Sequence, residues 1–115
     1  MANRSSPDKQ RILHIREACI KITNYIADID KEIFLADLKV QDAILYQIII
    51  IGEAVGHIDK ELLEKYPYPW FKIRALRNYA THEYFNIQIW TIWDIADEHI
   101  SQLLKITEDI LINEF

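Results

Sequence analysis

The sequence predicts an all-α protein, an antiparallel bundle of four to five helices forming a single domain over residues 1–115. Three observations carry this expectation. Apolar residues recur at alternating steps of three and four along most of the chain, the period of a helix packed on one side. There are only 2 Gly and 3 Pro in 115 residues, too few turn formers for an all-β fold. Half of the residues are hydrophobic, and a chain of this length can bury roughly two thirds of its unfolded surface, so a real core is affordable in conformational entropy.

The elements follow in order. Ser6-Pro7-Asp8 opens the first helix, with Ser6 at the cap and Pro7 in the first turn. Ile12, Ile15, Cys19, Ile22, Ile26 and Ile29 are its apolar stripe, and it should end around Asp28 to Asp30. The segment IFLADL then links to a second long helix, roughly residues 40 to 57. Val40, Ile44, Ile48, Ile51, Val55 and Ile58 mark one face of that helix, and Leu45, Ile49 and Ile50 make a second face apolar too. A helix apolar on two faces is either central in a bundle or at an oligomer interface. DKELLEKYPYP reads as a short helix ended by Pro67 and Pro69. Trp70 to about His82 is the third long helix, and the last, roughly 87 to 113, carries Ile89, Trp93, Ala96, Ile100, Leu103, Thr107 and Ile110 on one side. No repeat, linker or low-complexity tract interrupts this plan.

Composition narrows the setting. The single cysteine, Cys19, excludes an internal disulfide and suits a reducing compartment. MANRSSPDKQ contains no apolar stretch of the kind a signal peptide needs, and no uninterrupted apolar run exceeds four residues, far short of a membrane span. A soluble cytoplasmic protein without membrane attachment is expected. The net charge is −5, but it is segregated. Residues 83 to 115 carry seven carboxylates and one lysine, Lys105. Between Trp70 and His82 stand three cations, Lys72, Arg74 and Arg77, and no carboxylate.

That basic island contains RNYATHEY, residues 77 to 84, with Arg77, His82 and Tyr84 in an Arg-x4-His-x-Tyr spacing. A cation to hold a phosphate beside an imidazole that titrates near neutrality is the minimal kit for metal-free phosphodiester cleavage. Alone the spacing is a weak signal, because a histidine at a helix end is more often a cap and an arginine more often solvated or paired. On an ideal helix Arg77 and His82 would stand about 140° apart. Either the helix ends near Thr81 and His82 swings back, or two chains build one cleft across a two-fold axis. Arg74, Asn78 and His82 do share a face, with Arg77 at its edge. Gly52-Glu53-Ala54 interrupts the most apolar helix, where a carboxylate is costly unless paired. Glu53 could orient Arg74 or Arg77; the plainer alternative is a glycine for close packing and a Glu in solvent. Nine of the thirteen aromatics lie between Tyr66 and Trp93; they could stack bases, but Trp70 and Trp93 are expected in the core. His14, His57 and His99 read as structural. No His, Cys or carboxylate spacing suggests a metal site, and no Gly-rich phosphate loop is present, so no cofactor is expected.

With Arg77-x4-His82-x-Tyr84, the Gly52-Glu53-Ala54 helix turn and the tract PWFKIRALRN (69–78) together, the chain resembles HepT-like toxins of the HEPN superfamily over nearly its whole length. The resemblance implies an all-α, HEPN-like homodimer. It implies the toxin of a toxin–antitoxin pair, a metal-independent endoribonuclease whose Arg-x4-His site lies at the dimer cleft. Its antitoxin would be a minimal nucleotidyltransferase. By position, Arg77 would hold the phosphate, His82 would act as acid–base and Asn78 would support the site. Tyr84 would be the tyrosine that receives AMP and silences the enzyme. From the residues themselves, Lys72 and Arg74 are expected to support substrate binding, and Glu53 to support the site by orienting an arginine. The alternative is a non-catalytic helical subunit that binds nucleotide or presents substrate to a nucleotidyltransferase.

Overall fold

Helix boundaries in this chain are set by short polar residues placed where the backbone runs out of partners. The computed structural model describes residues 6–82 and 88–115, without the side chains of Ser6 and Tyr79. In order, the helices are α1 (Ser6–Ile26), α2 (Lys31–Ala36), α3 (Leu38–Gly56), α4 (Lys60–Glu64), α5 (Trp70–His82), α6 (Ile89–Asp94), a π-helical turn (Ile95–His99) and α7 (Ile100–Glu114), with no strand among the described residues. The all-α expectation is met.

Three aspartates start helices. Asp30 accepts from the Ile33 amide at 2.9 Å, Asp37 from Val40 at 3.1 Å and Asp59 from Glu61 at 3.0 Å, each satisfying an amide the helix itself leaves unpaired. These caps explain two differences from the sequence reading. IFLADL, expected as a link, is mostly the one-and-a-half-turn helix α2, and α3 begins at Leu38 rather than near residue 40. Gln41 closes α2 from the other side by donating to the carbonyls of Phe34 and Leu35, at 3.0 and 3.2 Å. Ser6, expected as a cap, already belongs to α1.

α3 is the central helix, packed against α1 on one side and α5 on the other. Both neighbours run antiparallel to it. Near the start of α1, Arg11 donates to the carbonyl of His57 beyond the end of α3, while Ala18 lies beside the mid-helix Gln47. The start of α5 likewise meets the end of α3. This central position accounts for the second apolar face: Ile44, Ile48, Ile51 and Val55 are buried, while Leu45, Ile49 and Ile50 are partly covered. The α1 stripe Ile12, Ile15, Cys19 and Ile22 is fully buried, and Phe34 of α2 packs on Trp93 with ring centroids 5.2 Å apart. Trp70 and Trp93 are core residues as expected, and the Trp70 indole donates to Leu63 and Tyr66 carbonyls, fixing the loop that leads into α5. Tyr66 and Lys65 reach Glu114 at the end of α7, at 3.1 and 3.3 Å, so the same loop is also tied to the C-terminal helix.

The last long helix was expected unbroken from roughly residue 87; that position lies outside the described residues, and from Ile89 onward it contains the π turn. The wider turn leaves Asp97, Glu98 and His99 consecutively exposed while Ala96 and Ile100 both stay buried. Among the described residues no helix is long and apolar enough to cross a membrane.

Cys19 has no solvent exposure, and burial pushes its thiol up to about 12, so it stays neutral at physiological pH. Alkylating reagents should leave Cys19 unlabelled in the native protein and label it fully in denaturant. Intact mass after each treatment checks this, and rapid native labelling would contradict the packing described.

Candidate active site

The basic helix meets the glycine of α3 at unusually short range. A Cβ built on Gly52 would stand 2.2 Å from Cβ and 2.8 Å from Cγ of Arg77, and 3.1 Å from the carbonyl oxygen of Ile73. Only hydrogen fits there. The stem of Arg77 therefore lies against the α3 backbone, on the side of α5 that also buries Trp70 and Ala80. Its head is then pinned from two directions. One terminal nitrogen pairs with Oε2 of Glu53, and the other donates to Oδ1 of Asn78 at 2.9 Å. Nε is buried without a hydrogen-bond partner among the described residues.

Glu53 is a bridge. Its Oε1 lies 3.1 Å from Nε2 of His57, one turn further along α3, while Oε2 takes Arg77. The His57 hydrogen bond, then the Arg77 charge, hold the Glu53 carboxyl below the usual carboxylate range, so it is ionised at neutral pH. Half exposed, such a pair adds little to stability. Its effect is to orient a guanidinium that could otherwise sample many rotamers.

Together Gly52, Glu53, Gly56, His57, Arg74, Arg77 and Asn78 line a cleft of about 220 Å³ between α3 and α5. Two guanidinium groups, an amide and an imidazole on its walls suit a phosphate diester. A larger, mostly apolar groove of about 570 Å³ adjoins it between α1 and α3. Glu53 and His57 line both, and Arg11, His14 and the exposed ring of Tyr46 line the groove.

The structure thus brings together Arg74, Arg77, Asn78 and Glu53. It does not bring His82 to them. α5 continues through His82, which is exposed at its last position, so the helix does not end at Thr81 to let His82 swing back. Arg74, Asn78 and His82 stand at successive four-residue steps of this unbroken helix, and the first two of them line the cleft. Lys72 also lies elsewhere, lining a separate cleft of about 270 Å³ with Leu76 of α5 and Ile95 and His99 of the π turn. Tyr84 lies outside the described residues. Both halves of the Gly52-Glu53 question are answered: the glycine permits close packing, and the glutamate is paired to Arg77.

His57, read as a structural helix-end residue, does cap α3 through its backbone amide, but its side chain is also part of the cleft. The Glu53-to-His57 spacing of four residues on one helix was the signal that could have found it. His14, read as structural, sits in the groove with Arg11, Glu53 and His57, and on its other side near Glu17 and Lys21. Among the described residues, no group of three or more His, Cys, Asp or Glu side chains could hold a metal ion.

Residues 15–110 match the family described as Ribonuclease HepT-like. The chain is 33% identical over 91 residues, 78% of each chain, to "Putative RNase MJ0125" of Methanocaldococcus jannaschii. It is 33% identical over 102 residues, 88% of this chain and 91% of the other, to "Putative RNase TTE0752" of Caldanaerobacter subterraneus subsp. tengcongensis. To "Probable ribonuclease HepT" of Thermococcus cleftensis it is 31% identical over 96 residues, 83% of this chain and 87% of the other. No solved structure gives a significant match.

The two glycines beside the cleft make a matched pair. Gly52→Ala forces α5 away from α3 and should cost about 1–3 kcal/mol, the range for overpacking. At Gly56 a Cβ meets nothing within 4 Å and φ is not positive, so Gly56→Ala should be neutral or stabilise by up to about 1 kcal/mol. Urea denaturation of the two variants beside wild type checks both signs.

Proposed function

Because the chain belongs to the Ribonuclease HepT-like family, we propose that it is the cytoplasmic ribonuclease toxin of a toxin–antitoxin pair, cutting RNA without a metal ion at a cleft shared by two copies. The observation that carries this reading is Arg77, seated on Gly52 and fixed by Glu53 and Asn78 at a cleft it shares with Arg74. Preorganised cations facing a phosphate stabilise the charge that builds on the phosphorane, and they do so without reorganising during the reaction. His82 takes the proton from the 2′-hydroxyl, whose oxygen attacks phosphorus and expels the 5′-oxygen. The products are a 2′,3′-cyclic phosphate and a 5′-hydroxyl.

A shared cleft is supported by the separation of the two motif residues. Five residues apart on α5, they differ by about 7.5 Å along the axis and about 140° around it. A two-fold axis beside α5 would let the His82 of one copy serve the Arg77 of the other. The antitoxin of this proposal is a minimal nucleotidyltransferase that adds AMP to Tyr84, two residues beyond His82. The new phosphate would pair with Arg74 and Arg77, occupying the cleft as a tethered product mimic. Asp94, Asp97 and Glu98, all exposed, offer an acidic dock for basic parts of that enzyme.

In excess chelator the protein should cleave RNA and spare DNA, which lacks the attacking hydroxyl. His82→Ala should lose about a hundredfold or more in rate with its circular dichroism unchanged. Equal cleavage by wild type and variant would end the catalytic assignment of His82.

Coexpression with the nucleotidyltransferase should add the mass of a nucleotidyl group to a peptide containing Tyr84. Tyr84→Phe should escape this modification and remain toxic. Modification found only at other residues would refute the proposed regulation.

A further inference from the structure

We propose that His57 is the second proton-transferring residue of this cleft, the general acid that protonates the departing 5′-oxygen; the proposal rests on the ribonuclease reading above. Metal-free cleavage of a phosphodiester by its own 2′-hydroxyl moves two protons. One leaves the nucleophile and one must reach the leaving oxygen, because an alkoxide is a poor leaving group. A single exposed imidazole at the end of α5 supplies one of these transfers.

Within one chain, the imidazole beside Arg77 is that of His57 and not that of His82. Arg77 and His57 sit on the two oxygens of one carboxylate, Oε2 and Oε1 of Glu53. Arg74, Arg77 and the His57 ring line the same 220 Å³ cleft, so a phosphate seated there lies within one small space with all three. The backbone of His57 is fixed as well. Its amide donates to the carbonyls of Ala54 and Val55, and its carbonyl accepts from Arg11 Nη1 at 3.3 Å. With Nε2 engaged by Glu53, Nδ1 is the ring nitrogen left to exchange a proton with substrate. A carboxylate that orients an imidazole through one nitrogen and leaves the other for chemistry is the arrangement on which acid–base histidines generally depend.

The ring is 59% exposed and lines both the 220 Å³ cleft and the 570 Å³ groove, so RNA crossing from one to the other passes it. The groups that face His57 are Glu53 on its own helix, Arg11 and His14 on α1, and Arg74 and Arg77 on α5. Of these Glu53 is the carboxylate hydrogen-bonded to the ring, and it is a positioning residue, since it acts through His57 and Arg77. In the balanced step His82 gains the 2′-hydroxyl proton, O2′ bonds to phosphorus, the P–O5′ bond breaks and His57 gives its proton to O5′. Solvent returns both imidazoles to their starting states.

The test compares two substrates, an RNA oligonucleotide and the same oligonucleotide with sulfur in place of the bridging 5′-oxygen at the scissile bond. A thiolate leaves without a proton. On the oxygen substrate the full-length His57→Ala protein should fall by about a hundredfold or more. On the sulfur substrate it should cleave within a few-fold of wild type, whereas His82→Ala should be slow on both. His57→Gln, which keeps a donor for Glu53 but cannot transfer a proton, should behave as His57→Ala does. Cleavage of the oxygen substrate at the wild-type rate by His57→Ala overturns the proposal. So does an equal loss on both substrates, which would make His57 a positioning residue only. A wild-type protein that cleaves neither substrate overturns the ribonuclease reading and this role with it, a result distinct from either failure of His57 alone.

Discussion

Gly52 sets the distance between α3 and α5, and the geometry of the cleft is measured from it. A residue with any side chain would hold the two helices apart at the point where the Arg77 stem lies on the α3 backbone. Moved outward, the guanidinium would lose its reach to Glu53 on the next residue of α3. The contact is steric, so it is stiff: interiors tolerate voids and overlaps poorly, and a helix pair so closely seated has little freedom to slide. A flexible cation on a helix surface thereby becomes a fixed one, with its direction set by the backbone of a neighbouring helix.

From this contact the polar network extends in one line: Asn78, Arg77, Glu53, His57. Every link is at least partly exposed, so the network contributes orientation much more than stability. Stability comes from elsewhere, from the isoleucines of α1 and α3, Phe34 against Trp93, and the Trp70 and Glu114 contacts that hold the approach to α5. This division lets the cleft carry charge in an otherwise acidic protein. The cations that face it stand on a helix with no carboxylate of its own, and Glu53, which pairs with Arg77, is positioned by a different helix.

The periodic elements were legible because burial imposes a period on sequence. Isoleucines of α1 and α3 repeat at three and four because those positions touch the core: Ile12, Ile15, Ile22, Ile44, Ile48 and Ile51 are buried as their spacing predicts, while Ile26 and Ile29, at and beyond the end of α1, are only partly covered. The position and basic character of α5, the core placement of Trp70 and Trp93, and the significance of Gly52-Glu53 were legible on the same grounds. The π turn was not, because one added residue in a turn changes the apolar pattern too little to distinguish it from a stripe that drifts. α2 was read as a link because its six residues are too few to show a period, and its caps, Asp30 and Gln41, act through geometry.

By itself the sequence determined the all-α class, the order of the long helices, the family and the charge asymmetry of the chain, since each of these depends on residue type and near-neighbour spacing. Only the tertiary structure decided which polar groups meet. Arg77 chose Glu53 over solvent because Gly52 admits α5 so closely. Lys72 went to another face because a helix turns by about 100° per residue. His57 joined the cleft because α3 ends beside α5, a relation between residues 57 and 77 that no local pattern encodes.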